Sequence, residues 1–175
     1  MHLEVTLDLP TGAADAARML ADPGYVAAKV AASGATEQHV DITGGPAGAF
    51  TVTTRRLLPT DGIPPQVRGF VGGALDVRQV EAWEPARADG ARTGTVALEI
   101  AGAPVRLTGE VHLEPAGTGR SRVRYAGELK ASVPLFAAAV EGAAAGAVRS
   151  ALATEEAVAA RWLAEHPAPG TATPA

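Results

Sequence analysis

Residues 134–165 read PLFAAAVEGAAAGAVRSALATEEAVAARWLAE. Phe136, Val140, Ala144, Val148 and Leu152 recur at every fourth position, and Val158 and Trp162 extend the apolar face. This spacing predicts one long helix from Pro134 to about Glu165 with a broad apolar stripe. Ser132 stands where an N-cap belongs, and Pro134 falls in the first turn. Glu141, Arg149, Glu155, Glu156 and Arg161 supply the polar side. Such a helix is roughly 45–50 Å long at 1.5 Å per residue, enough to cross a whole sheet. Most of it is alanine, which buries little apolar area per residue. Its stability therefore has to come from packing its few large residues. Gly142 and Gly146, four apart, permit close approach to a sheet or a bend.

What precedes the helix reads as strands. Leu3, Val5, Leu7 and Leu9 alternate with polar residues, the period-two pattern of a strand with one buried face. Pro10-Thr11-Gly12 ends it. Thr11 is placed to cap a short helix over 13–20. Asp22 and Pro23 open a second helix as N-cap and first residue, and Gly34 stops it. Further strands are expected at 37–43, 49–57, 75–83, 93–100, 105–114 and 122–133. The short links at Ala101-Gly102 and 115–119 make antiparallel hairpins. Within the turn-rich stretch 59–73, residues 64–71 suit one short helix. No internal repeat or second domain is visible, so 1–166 is expected to be one domain and 167–175 a disordered tail. Antiparallel strands followed by a single terminal helix bury both apolar faces by curling the sheet around that helix. The expected class is α+β: a curved antiparallel sheet of six to seven strands around a long C-terminal helix, with two short helices after the first strand.

Composition narrows the possible functions. The 175 residues are 47% hydrophobic and carry a net charge of −4. Arg55-Arg56 is the densest basic spot, far too small a footprint for nucleic acid. The absence of cysteine removes disulfides, thiol catalysis and cysteine-ligated zinc. The N-terminal residues show no secretory signal pattern, and no stretch reaches the about 20 strongly apolar residues of a membrane span. A cytoplasmic protein, a monomer or weak homodimer, is expected.

The order of elements resembles the START-like superfamily, also called SRPBCC or helix-grip proteins, and within it the bacterial domain-of-unknown-function family 2505. The residues carrying the resemblance are Leu3-Glu4-Val5, Asp22-Pro23-Gly24-Tyr25, Arg55-Arg56-Leu57-Leu58-Pro59 and Gln79-Val80-Glu81-Ala82-Trp83. Gly94-Thr95-Val96, Gly102-Ala103-Pro104-Val105 and Val133-Pro134-Leu135 add to it. Together they cover the chain to about His166. The resemblance implies a cavity between sheet and long helix, and it implies no single reaction, because one fold hosts many functions.

No catalytic motif stands out. His2, His39, His112 and His166 are scattered without metal-ligand spacing, so no metal site is expected, and neither a nucleophile elbow nor a phosphate-cradling loop occurs. The notable polar residues lie in phase with apolar ones: Thr54 and Arg56 with Phe50 and Val52, and Gln79, Glu81 and Trp83 with Leu75 and Val77. If the alternation holds, Arg56, Gln79 and Glu81 face inward, as a satisfied structural pair or as ligand contacts. A bulge near Arg78-Gln79 would turn Val80 and Ala82 inward instead. Tyr125, in phase with Val123 and Leu129, is expected to present its hydroxyl to the cavity, either to orient a polar group of a ligand or only to bond another buried group. Trp83 and Trp162 read as core or cavity-rim packing. Phe70 and Val71 could form a lid over one end, with Gly69, Gly72 and Gly73 suiting a hinge and a plain turn equally.

These residues point first to a cavity that binds an apolar or amphipathic small molecule as carrier or sensor, with no cofactor. Its expected walls are Leu75, Val77, Val96, Leu98, Val105, Leu107, Val111, Val123, Tyr125, Phe136 and Val140, with Arg56, Gln79, Glu81 and Trp83 beside them. A cyclase- or hydratase-type enzyme using Glu81 and Tyr125 as acid–base groups is the alternative. A structural or interaction module with a filled interior is the third reading.

Overall fold

The computed structural model describes residues 1–61 and 73–167. Its strands are β1 (His2–Leu9), β2 (Glu37–Gly44), β3 (Phe50–Pro59), β4 (Ala74–Trp83), β5 (Arg92–Ala101), β6 (Val105–Pro115) and β7 (Ser121–Ala131). Helices α1 (Ala13–Leu20) and α2 (Pro23–Ala32) follow β1, and α3 (Ala137–Glu165) follows β7. The strands form one seven-stranded sheet in the order β1-β7-β6-β5-β4-β3-β2, antiparallel at every pairing. β1 and β2 are consecutive in sequence yet occupy opposite edges, so α1 and α2 carry the chain across the mouth of the curled sheet. The helix expected at 64–71, the lid of Phe70 and Val71, and all but the first residue of the tail 167–175 lie outside the described residues.

Curvature has a local cause in β6 and β7. Gly109 and Gly127 face each other in register. A Cβ on Gly109 would fall on the carbonyl of Ala126, and one on Gly127 would lie 2.6 Å from the carbonyl oxygen of Thr108. Only glycine lets the two backbones approach so closely, and strand glycines of this kind mark sharp bends.

The buried side chains fall into two clusters. The larger joins β1, α1, α2 and the middle of the sheet to the C-terminal half of α3, around Leu7, Tyr25, Val26, Trp83, Val111, Leu113 and Val158. The smaller joins Leu3, Val105, Leu107, Leu129 and Val133 to Val140 and Ala145 of α3.

Asp22 caps α2 as expected, its carboxylate accepting from the backbone N–H groups of Gly24 and Tyr25. Gly34 follows that helix with φ +83°. Three terminus expectations are corrected. The N-cap of α1 is Gly12 without a side-chain bond, so Thr11 stands one residue too early to cap. Ser132 is not the N-cap of the long helix, because its N–H still extends the sheet by donating to the carbonyl of Pro104. After Pro134 the chain turns through Leu135 at φ +66°, and α3 begins only at Ala137 behind Phe136.

The face of α3 also differs from the fourfold reading. Its buried residues are Val140, Ala145, Leu152, Glu155, Val158 and Ala159. Four residues advance a helix by about 40° more than one turn, so a strict fourfold series drifts off the contact line. The observed stripe takes a step of three from Leu152, which brings Glu155 inside. Glu155 was expected on the polar side, and it is buried instead.

A buried polar network beside a small cavity

The β3–β4 register runs without a slip from Ala74 to Trp83, and the β4–β5 register from Asp76 to Trp83. The bulge alternative is therefore excluded, and Val80 points outward, 38% exposed. Gln79 and Glu81 share the inner face with Val77 and Trp83, and Arg56 faces the same way on β3. Only 3% of Glu81 is exposed. Its carboxylate accepts from the Gln79 amide at 2.7 Å and the Trp83 indole N–H at 3.3 Å, with the Tyr125 hydroxyl at 3.4 Å and 3.5 Å from its two oxygens. A carboxylate accepts through both oxygens, and here each has a protein donor.

The helices complete the network. Lys29 of α2 donates to Glu155 of α3 at 2.9 Å, and its ammonium lies 3.6 Å from Glu81 of β4. The Tyr25 hydroxyl donates to the same Glu155 oxygen at 3.4 Å, and its ring meets Trp162 edge-on. One lysine thus links the two helices to the sheet. Burial pulls the Lys29 pKa down, but the charges of Glu155 and Glu81 outweigh it, so the value ends above the usual lysine range. Burial, reinforced by the two carboxylates, raises the pKa of Tyr25 and of Tyr125, and both remain hydroxyl donors.

Arg56 is held differently. Its guanidinium donates to the neutral Gln79 oxygen at 3.1 Å, and its Nε is buried without a partner. Burial lowers its pKa, and the more distant Glu155 and Glu81 offset part of that effect. The hydroxyl of Thr54, opposite Gln79 in register, is likewise buried and unpartnered.

Beside this network lies a cavity of about 70 Å³ between the sheet, α2 and α3. Its apolar walls include Leu3, Val30, Val96, Leu98, Leu107, Val148 and Leu152, and its polar wall is Lys29, Arg56, Gln79, Tyr125 and Glu155. The walls draw on both core clusters, so the gap sits where the two part. The alanine-rich helix supplies too little side-chain volume there to close it.

Of the residues singled out from the sequence, Arg56, Gln79, Val96, Leu98, Leu107 and Tyr125 line this cavity. Glu81 lies behind the lining. Val77, Trp83 and Val111 are packed in the core, Trp83 stacking on Phe50. Val123 belongs to the larger cluster, and Val105 and Val140 to the smaller. Leu75 is only half-buried. Phe136 is a correction: at 42% exposed it precedes α3 and faces neither sheet nor cavity. Lys29 and Glu155 were missed because charges on helices read as solvent-facing. A signal was present in each case. Lys29 follows Tyr25 by four and Val26 by three, and Glu155 follows Leu152 by three and precedes Ala159 by four, the spacings of one helical face.

Arg92 was also missed and is 3% exposed. Its guanidinium donates to the carbonyls of Gly48, Glu84 and Pro46 and lies over Phe50, tying two loops together away from the cavity. Among the described residues, no group of three or more histidines or carboxylates could hold a metal ion. No described helix is long and apolar enough to cross a membrane.

A curled antiparallel sheet closed by a long C-terminal helix, with a cavity between them, is the START-like fold. The chain belongs to the family described as protein of unknown function DUF2505, which matches residues 4–163. No curated protein matches it. Among solved structures it is similar to the Zhui aromatase/cyclase from Streptomyces sp. R1128, with 12% identity, TM-score 0.60 and 99% of both chains covered. It is similar to TTHA0849 from Thermus thermophilus, with 16% identity, TM-score 0.58, and 95% of this chain and 99% of that chain covered. Human STARD10 shares the fold at 10% identity and TM-score 0.58, with 94% of this chain and 66% of that chain covered.

Proposed function

We propose that this domain binds an amphipathic small molecule in the cavity between sheet and long helix, as a carrier or sensor. The observation that carries the reading is the two-sided lining: aliphatic side chains on one side, and on the other a fixed polar wall that includes a guanidinium with unused donors. Ligand sites typically combine apolar walls with a few placed polar groups. The similar structures include an aromatase/cyclase, so the fold itself is compatible with catalysis as well as with binding.

The cyclase- or hydratase-type alternative is less well supported. Glu81, its acid–base candidate, lies behind the cavity lining with both oxygens engaged, and Tyr125 is turned toward that carboxylate. The filled-interior reading has the gap beside Arg56 against it.

The test is native mass spectrometry of the purified protein, paired with thermal melts against a panel of amphipathic small molecules. A co-purifying adduct, or a saturable rise in Tm with a subset of the panel, is expected. A single apo mass together with no shift across the panel would overturn the reading.

A further inference from the structure

We infer that the polar end of the bound molecule is a carboxylate, received by the guanidinium of Arg56; this rests on the binding reading above. Among the described residues, the two cations on the cavity wall are not equivalent. Lys29 already has a carboxylate at 2.9 Å and a second at 3.6 Å. The bond from Arg56 goes to neutral Gln79, and its Nε is buried with no partner. Gln79 in turn donates its amide to Glu81, so it fixes the guanidinium in place without neutralising it.

A guanidinium presents five N–H donors in a rigid plane, and a carboxylate matches that fork through two parallel bonds. Arginine is also less strongly hydrated than lysine, which suits it to a half-buried seat. Two acceptors on this wall are in use: one Glu155 oxygen receives both Lys29 and Tyr25, and the Gln79 oxygen receives Arg56. An incoming ammonium would meet Lys29 and Arg56 together, and Arg56 already disfavours the charged form of Lys29. Among the described residues lining the cavity, Glu155 is the one carboxylate that would repel an anion, and its pairing with Lys29 offsets it. Leu98 and Leu107, on the apolar side of the same cavity, would meet the ligand's hydrocarbon part.

The experiment compares three heads on one tail: decanoate, decanol and decylamine, titrated into the full chain by calorimetry at pH 7.5. Decanoate is expected to bind about tenfold or more tighter than decanol, as a charge-assisted fork predicts, and decylamine more weakly than decanol. Arg56→Gln should erase the difference between decanoate and decanol. Arg56→Lys, which keeps the charge without the fork, should retain part of it. Melting curves confirm that both variants are folded. Decanol or decylamine binding as tightly as decanoate would overturn the carboxylate while leaving the binding reading intact. A decanoate preference that survives in Arg56→Gln would overturn the role of Arg56. No saturable binding of any of the three would count against both.

Discussion

Replacing Lys29 with methionine is the sharpest test of how α2, α3 and the sheet are joined. The substitution keeps the aliphatic length and removes the charge that Glu155 and Glu81 share. Both carboxylates are under a tenth exposed, at 8% and 3%. Removing one partner of a buried pair costs about 3–5 kcal/mol, because the remaining charge stays buried without compensation. That is a large part of the roughly 5–15 kcal/mol that holds a domain folded. At about 2–4 °C per kcal/mol for a chain of this size, Lys29→Met should lower Tm by about 6–20 °C. Adding Glu155→Leu should recover much of the loss, since an apolar replacement of a whole pair is often close to neutral, and the double-mutant cycle reads the coupling directly. Melts of the four proteins measure all of this. A Lys29→Met Tm within about 2 °C of wild type, or no recovery in the double variant, would refute the network as the joint.

Three further outcomes follow from the same structure. Leu152→Ala should cost about 2–5 kcal/mol, whereas Phe136→Ala, at a 42% exposed position, should cost under about 1 kcal/mol; urea unfolding compares them. Gly109→Ala forces a methyl onto the Ala126 carbonyl and should destabilise by about 1–3 kcal/mol, the usual cost of overpacking, whereas Gly45→Ala, with open space around its Cβ, serves as the mild control in the same melts. The raised values of Tyr25, Tyr125 and Lys29 mean that the folded state holds protons the unfolded chain releases above about pH 10. Stability should therefore be full below that pH and fall as pH rises beyond it, with a shallower fall in Tyr125→Phe.

The fold was legible because its signals are periodic. Alternation in β1, the Asp22-Pro23 helix start and the short hairpin links each restrict the backbone locally, and they agree with one another. The inward phase of Arg56, Gln79 and Glu81 was equally legible once alternation held through β4. The start of α3 was not. Ser132 and Pro134 carry the local chemistry of a helix start, but the N–H of Ser132 is claimed by Pro104 across the sheet, a nonlocal bond that no window of sequence contains. The same limit hid half of the site. Lys29 and Glu155 are 126 residues apart, and each looks like a solvated helix charge until the other is placed beside it.

The small cavity constrains the binding reading. The described residues enclose about 70 Å³, whereas pockets for drug-sized ligands run to about 300–1,000 Å³. A ligand of more than a few atoms therefore requires the wall to yield, and the two ends of α3 differ in what yielding costs. Beyond Leu152 the helix is tied by Glu155 to Lys29 and Tyr25, and it is packed through Val158 and Ala159. Toward its start, Gly142, Ala143, Ala144 and Gly146 offer little apolar area to lose, and Val140 and Ala145 are the buried anchors. Displacement of this N-terminal half would lengthen the cavity along its aliphatic side, past Leu107 and Leu98, while leaving the polar wall assembled. On the proposed binding reading, the polar network would be a fixed seat for the ligand's head, and the alanine-rich turns a wall that is inexpensive to move for its tail.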